Sequence, residues 1–132
     1  MTKKLIEINT LSHTFSDGYI GINNISLSVY KSEFIIVAGR NGSGKTTFLR
    51  HLNGLLSPDS GHILVNGLDV KNHLIQTRKT VGMVFQDADT QIVGETVFDE
   101  VAFGLENLKF NRQKINDKVT QILEGLILLH LK

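Results

Sequence analysis

Phe34-Ile35-Ile36-Val37-Ala38-Gly39-Arg40-Asn41-Gly42-Ser43-Gly44-Lys45-Thr46-Thr47 is the stretch whose reading decides the fold. An apolar run leads directly into the spacing G-x-x-x-x-G-K-[ST], which Gly39, Gly44, Lys45 and Thr46 satisfy. The residue types follow from the chemistry of binding phosphate. Anionic oxygens must lie against backbone N–H groups, so Gly39, Gly42 and Gly44 leave no Cβ in the way and accept dihedrals that other residues resist. A helix beginning near Lys45 turns its unpaired N–H groups and positive dipole end toward the same anion. Lys45 adds a mobile positive charge for the outer phosphates, and the Thr46 hydroxyl is placed to ligate Mg²⁺. The backbone from Asn41 through Ser43 to Thr47 forms the cradle. The stretch reads as a nucleoside triphosphate site.

The rest of the composition sets bounds. The chain has 132 residues, 41% hydrophobic and 20% charged, with a formal net charge of +1, which is ordinary for a globular domain or part of one. Charges of both signs are interspersed, so there is no electrostatic case for nucleic acid. There are no cysteines, which excludes disulfides and thiolate metal sites and suits a reducing compartment. The start, MTKKLIEINTLS, has basic residues but no sustained apolar segment, so no signal peptide is expected. No run approaches the roughly 20 apolar residues that span a bilayer. The histidines His13, His51, His62, His73 and His130 are scattered without pairing at ligand spacing, and they read as surface or partly buried residues.

Read in order, Leu5-Ile6-Glu7-Ile8 and Ile25-Ser26-Leu27-Ser28-Val29 are β-rich runs either side of turn-rich residues, predicting an antiparallel pair with one buried face. Residues 34–38 do not alternate, which predicts a strand covered on both faces as in a parallel sheet. A helix over 46–56 follows, with Phe48, Leu49, Leu52 and Leu55 or Leu56 inward, stopped by Ser57-Pro58-Asp59-Ser60-Gly61. Residues 63–65 read as a strand, 69–79 as a polar stretch with a short helix, and 81–85 as a further strand. Thr96 caps a helix to about Leu108, with Val97, Val101 and Leu105 on one side. A second helix over 111–126 carries the stripe Ile115, Val119, Ile122, Leu123 and Leu126. The last seven residues are largely apolar, so they are expected to fold back or to continue into further structure.

Two stretches carry a family resemblance: ISLSVYKSEFIIVAGRNGSGKTTFLRHLNGLLSPDSGHILVNGLDV and VGMVFQDADTQIVGETVFDEVAFGLENL. With them the sequence resembles the nucleotide-binding subunit of ATP-binding cassette (ABC) transporters. The second is particularly similar to the energy-coupling factor and cobalt-type importers. The resemblance implies an α/β phosphate-loop NTPase core with an antiparallel β subdomain and the start of a helical subdomain. It further implies ATP and Mg²⁺ as ligands, a transmembrane transporter subunit and a second ABC ATPase subunit as partners, and a peripheral place on the cytoplasmic side of the membrane.

The resemblance also assigns residues. Phe15 falls where the family places an aromatic ring against adenine, a contact worth about 1 to 3 kcal/mol in comparable base–aromatic pairs. The other reading of Phe15 is a ring filling the sheet. Gln86 aligns with the glutamine that reaches Mg²⁺ and the attacking water, a role that suits an uncharged amide with donors and an acceptor. Lys45 and Gln86 are thus the implied catalytic groups, and Thr46 and Gln86 the implied metal ligands. Asp87, Asp89, Gln91 and the helix after Thr96 would lie near the groove that takes a coupling helix of the membrane subunit, with a solvated polar face as the alternative. Asp99 and Glu100 are adjacent on a helix and do not face one another, so they read as first-turn charges rather than a catalytic pair.

Some family features are not found in this sequence: an LSGGQ-like signature, an apolar strand ending in Asp-Glu, and a later switch histidine. Phosphoryl transfer needs a base or water-orienting group as well as a metal. The expectation is therefore the amino-terminal part of a cassette, in which residues 34–38 lack their usual neighbours and expose unpaired edges. Two other readings stay open, a nucleotide-binding fragment that does not turn over and a soluble cassette ATPase with no membrane partner.

Overall fold

Alternation along the first two runs builds the sheet. In the computed structural model, which describes residues 3–87 and 91–127, β1 (Lys4–Thr14) pairs antiparallel with β2 (Ile20–Tyr30). β1 also pairs antiparallel with β3 (Ser60–Val65), and β3 with the short β4 (Leu68–Asp69), giving the order β2-β1-β3-β4. Both leading strands run longer than the apolar patterns predicted. Bulges near Thr10 and Asn24, both with positive φ, let the ladder continue through polar residues, and the Ser26 and Ser12 hydroxyls accept the N–H groups of Thr10 and Asn24.

One face of this sheet is buried. Ile8, Leu11, Ile22, Ile63 and Val65 form a core with Phe48 and Val70, each full burial contributing about 1.5 to 3 kcal/mol. Phe48 comes from α1 (Lys45–Leu52), which ends earlier than the predicted Leu56. The stop is Gly54, with φ of 71°, rather than the proline turn. Its N–H donates to the His51 carbonyl and that of Leu55 to Arg50, the pairing of a Schellman motif. Leu52 packs against the core, but Leu49 and Leu55 stay largely exposed, and the buried residue beside Phe48 is His51. α2 (Leu74–Thr80) supplies the short helix expected between 69 and 79.

Two predicted strands do not form. Residues 34–38 and 81–85 lie outside every ladder. Residues 34–38 are not covered on both faces as expected, since Phe34 is 89% and Ile36 76% exposed. Without a neighbouring strand among the described residues, an apolar segment has no cross-strand hydrogen bonds to hold it in a sheet. This agrees with the expectation of unpaired edges.

The chain divides into two compact units, Met1–Met83 and Val84–Lys132. The second has its own core, in which α3 (Val97–Asn107) contributes Ala102 and α4 (Arg112–Gly125) contributes Ile115, Val119 and Leu123. Ile122 and Leu126 of the predicted stripe are exposed instead. Thr96 caps α3 as expected, and Asn111 proves to be the cap of α4 rather than its first residue, each side chain accepting an N–H three residues on. Asp89 and residues 128–132 of the apolar tail lie outside the described residues.

Candidate nucleotide-binding site

The loop of residues 39–44 joins the exposed apolar segment to α1. Gly44 is the N-cap with φ of 88°, and a Cβ there would overlap the carbonyl oxygen of Gly21 on β2. Only glycine permits both the left-handed backbone and this close approach. No side chain caps α1, and its first turn carries no acidic residue. The first-turn N–H groups of Lys45, Thr46 and Thr47 therefore lack an intrahelical partner and face no competing carboxylate, which is the electrostatic character of an anion site.

Lys45 is engaged with its own loop. Its ammonium donates to the carbonyl of Gly39 at 2.8 Å and that of Arg40 at 2.7 Å, with the Ser43 hydroxyl at 3.5 Å. The Ser43 N–H donates to the Arg40 carbonyl at 3.1 Å. The charge is thus held within reach of the loop by neutral acceptors that a phosphate oxygen outcompetes, because a full negative charge attracts the ammonium more strongly than a carbonyl dipole does. Asn41 and Thr46 are exposed and Thr47 is half-buried. Among the described residues the Thr46 hydroxyl accepts and donates no side-chain hydrogen bond. A free hydroxyl is a hard oxygen donor of the kind Mg²⁺ takes, with phosphate and water completing the shell. The residues present fit that ion.

Phe15 lies beside this loop. Its ring packs edge-on against His13 at 4.8 Å and stacks with Tyr19 at 6.2 Å. A Cβ on Gly21 would come within 2.7 Å of the Phe15 ring and 3.3 Å of the Thr47 methyl. The ring is half-buried, so one part serves packing while the rest remains open. Gln86 belongs to the second unit, where it is exposed in a segment outside helix and strand. The structure therefore brings Phe15 and residues 39–47 together within one unit, and Gln86 is described only in the other. Asp99 and Glu100 are first-turn groups as read. Asp99 accepts the Thr96 hydroxyl at 2.6 Å, and Glu100 accepts the N–H groups of Val93 and Gly94 at 2.8 and 2.7 Å. Those two N–H groups hold the Glu100 carboxyl below its ordinary range.

Two features escaped the sequence. His51 is fully buried, its Nδ1 lying 2.8 Å from the Thr47 carbonyl, and its ring meets His13 at 4.8 Å. Nδ1–H must donate there, which leaves Nε2 a buried acceptor without a partner among the described residues. Burial, chiefly, pushes its pKa down. The other is Tyr19, whose hydroxyl reaches the loop. Neither had a motif to announce it.

The family model for ABC transporters matches residues 22–132. The chain belongs to the ABC transporter family. This cassette sequence is 39% identical over 130 residues to the energy-coupling factor transporter ATP-binding protein EcfA1 of Fusobacterium nucleatum, covering 97% of this chain and 49% of that one. It is 44% identical over 122 residues to a putative ABC transporter ATP-binding protein of Halobacterium salinarum, covering 92% of this chain and 52% of the relative. In three dimensions it resembles cbiO1 from Clostridium perfringens, described as part of the ABC transporter complex cbiONQ, with a TM-score of 0.80 and 30% identity. That match covers 98% of this chain and 53% of cbiO1. The cassette chain thus spans about half the length of the relatives it matches, and its fold is that of the corresponding part of an ABC ATPase. Among the described residues no helix is long and apolar enough to cross a membrane.

Proposed function

We propose that this chain binds Mg-ATP as the phosphate-loop part of an energy-coupling factor-type transporter ATPase, which in its complete form hydrolyses ATP to drive solute movement. One observation carries the reading: α1 begins at Lys45, after the N-cap Gly44, without a side-chain cap or an acidic first turn, and its lysine is parked on loop carbonyls. On binding, Lys45 exchanges the Gly39 and Arg40 carbonyls for the outer phosphates, and the N–H groups of residues 42–47 receive their oxygens. Thr46 would be the Mg²⁺ ligand within this loop, and Gln86, carried over from the family resemblance, would be a second; the ion would supply positive charge against that of the phosphates. Phe15 stacks on the base.

None of the loop residues is a base able to take a proton from water, so the contribution of residues 39–47 is binding and orientation. This favours, as a second reading, a nucleotide-binding part that does not turn over by itself. The partners we propose are a transmembrane transporter subunit and a second cassette, homologous or identical, with the chain on the cytoplasmic face of the membrane.

Equilibrium titration of the chain with Mg-ATP tests the first reading. Saturable binding that Lys45→Ala abolishes is the expected result, and binding that survives this change would overturn the assignment. Phosphate release measured on the same sample separates the two readings: turnover supports the enzyme, binding alone the non-hydrolysing part.

A further inference from the structure

The turn between β1 and β2 touches the phosphate loop through a residue that no motif assigns. It is tightly tied within itself. The Phe15 N–H donates to the Tyr19 carbonyl at 2.8 Å, the Gly18 N–H to the Phe15 carbonyl at 2.9 Å, and the Tyr19 N–H to Asp17 Oδ1 at 3.0 Å. These bonds set the Phe15 and Tyr19 rings side by side, 6.2 Å apart and 28° from parallel. From that position the Tyr19 hydroxyl donates to the carbonyl of Gly42 at 2.7 Å. Two residues on, the Gly21 carbonyl packs against Gly44, so turn and loop meet at two places.

We propose that Tyr19 is a positioning residue for the triphosphate, its hydroxyl fixing the loop while its ring backs the base-stacking face of Phe15. The inference rests on the reading of this loop as the nucleotide site. Gly42 has φ of 80°, and besides the Ser43 N–H bond to the Arg40 carbonyl it has no side chain of its own to fix it. Anchoring its carbonyl adds a second restraint on the peptide 42–43, and because that peptide is trans, the Ser43 N–H is directed to the opposite side, where it donates to the Arg40 carbonyl across the loop. The loop thus loses part of its freedom before any ligand arrives, and preorganisation of this kind raises affinity. The hydroxyl acts on the phosphate side and the ring on the base side, so one residue serves two parts of one ligand.

The two roles separate in a titration of the full chain with Mg-ATP and with inorganic tripolyphosphate. Tyr19→Phe is expected to weaken both by the same factor, about three- to tenfold, as loss of one neutral hydrogen bond allows. Tyr19→Ala is expected to weaken ATP further while leaving tripolyphosphate at the Tyr19→Phe value, and Phe15→Ala to weaken ATP alone. A Tyr19→Phe chain that binds both probes as the parent does, or more tightly, overturns the proposal, as does a loss confined to ATP. A parent chain that binds neither probe overturns the functional reading, and this inference with it. Hydrogen exchange without ligand gives a second measurement. Amides of residues 43–47 should exchange faster in Tyr19→Phe while the β1–β2 ladder is unchanged, and unchanged loop exchange counts against the role.

Discussion

His51 shows what a single buried side chain adds to the loop it supports. It sits one helical turn beyond Thr47, donates to the Thr47 carbonyl, and has a buried Nε2 without a partner among the described residues, its ring against that of His13. Charging it would bury a cation away from water, and burial accordingly lowers its pKa. A base whose folded pKa is depressed contributes stability that is complete above its unfolded value of about 6.5, and this contribution falls as pH drops through and below that value. Protection of the α1 amides, corrected for intrinsic exchange, should therefore decline between about pH 7.5 and about pH 5.5. His51→Gln keeps a donor for Thr47 but cannot titrate, so its α1 protection should be flatter with pH. Equal slopes in the two proteins would refute the assignment. No residue spacing foretold this burial, because it depends on β1 laying His13 over α1.

At the scale of elements, the helices were legible wherever local chemistry fixes them. Thr96 and Asn111 each satisfy an orphan N–H of the helix they precede, a contact confined to four residues and so written in the sequence. Replacing Thr96 by alanine should cost the second unit about 1 kcal/mol, read as loss of hydrogen-exchange protection across α3; unchanged protection would show that the cap is idle. Glu100 holds the turn before that helix through the N–H groups of Val93 and Gly94. Its depressed pKa means that this restraint persists above the ordinary carboxylate range and disappears as pH falls through the depressed value. Glu100→Gln should remove that acid dependence from the exchange of residues 93 and 94. The strands at 34–38 and 81–85 were misread for the opposite reason. A strand is completed by a partner distant in sequence, and apolar content alone does not supply one.

At the scale of the molecule, two separate cores leave much apolar surface outside. Ile36, Phe34 and Val84 are each more than three-quarters exposed, and Ile25, Leu27, Ile36 and Phe48 line an open groove of about 460 Å³. An apolar segment that pairs with no strand among the described residues and exposes such side chains invites self-association. The 132-residue chain should therefore not unfold as a soluble, cooperative monomer at micromolar concentration. Sedimentation should show concentration-dependent association, and Ile36→Lys should reduce it while changing local stability by no more than about 0.5 kcal/mol, as expected for an exposed position. A sharp two-state transition of monomeric chain would contradict this.

The sequence by itself determined the glycine-rich loop, because a backbone nest followed by a helix N-terminus sets Gly39, Gly44, Lys45 and Thr46 at fixed, local spacing. It determined the Thr96 cap and the antiparallel pair for the same reason, short-range geometry. Only the tertiary structure decided that β2 begins against the loop, that His51 is buried beneath it, and that the Tyr19 hydroxyl closes on Gly42. Each of those contacts joins residues more than twenty positions apart through space, or depends on what covers them, and no periodicity along the chain encodes such a meeting.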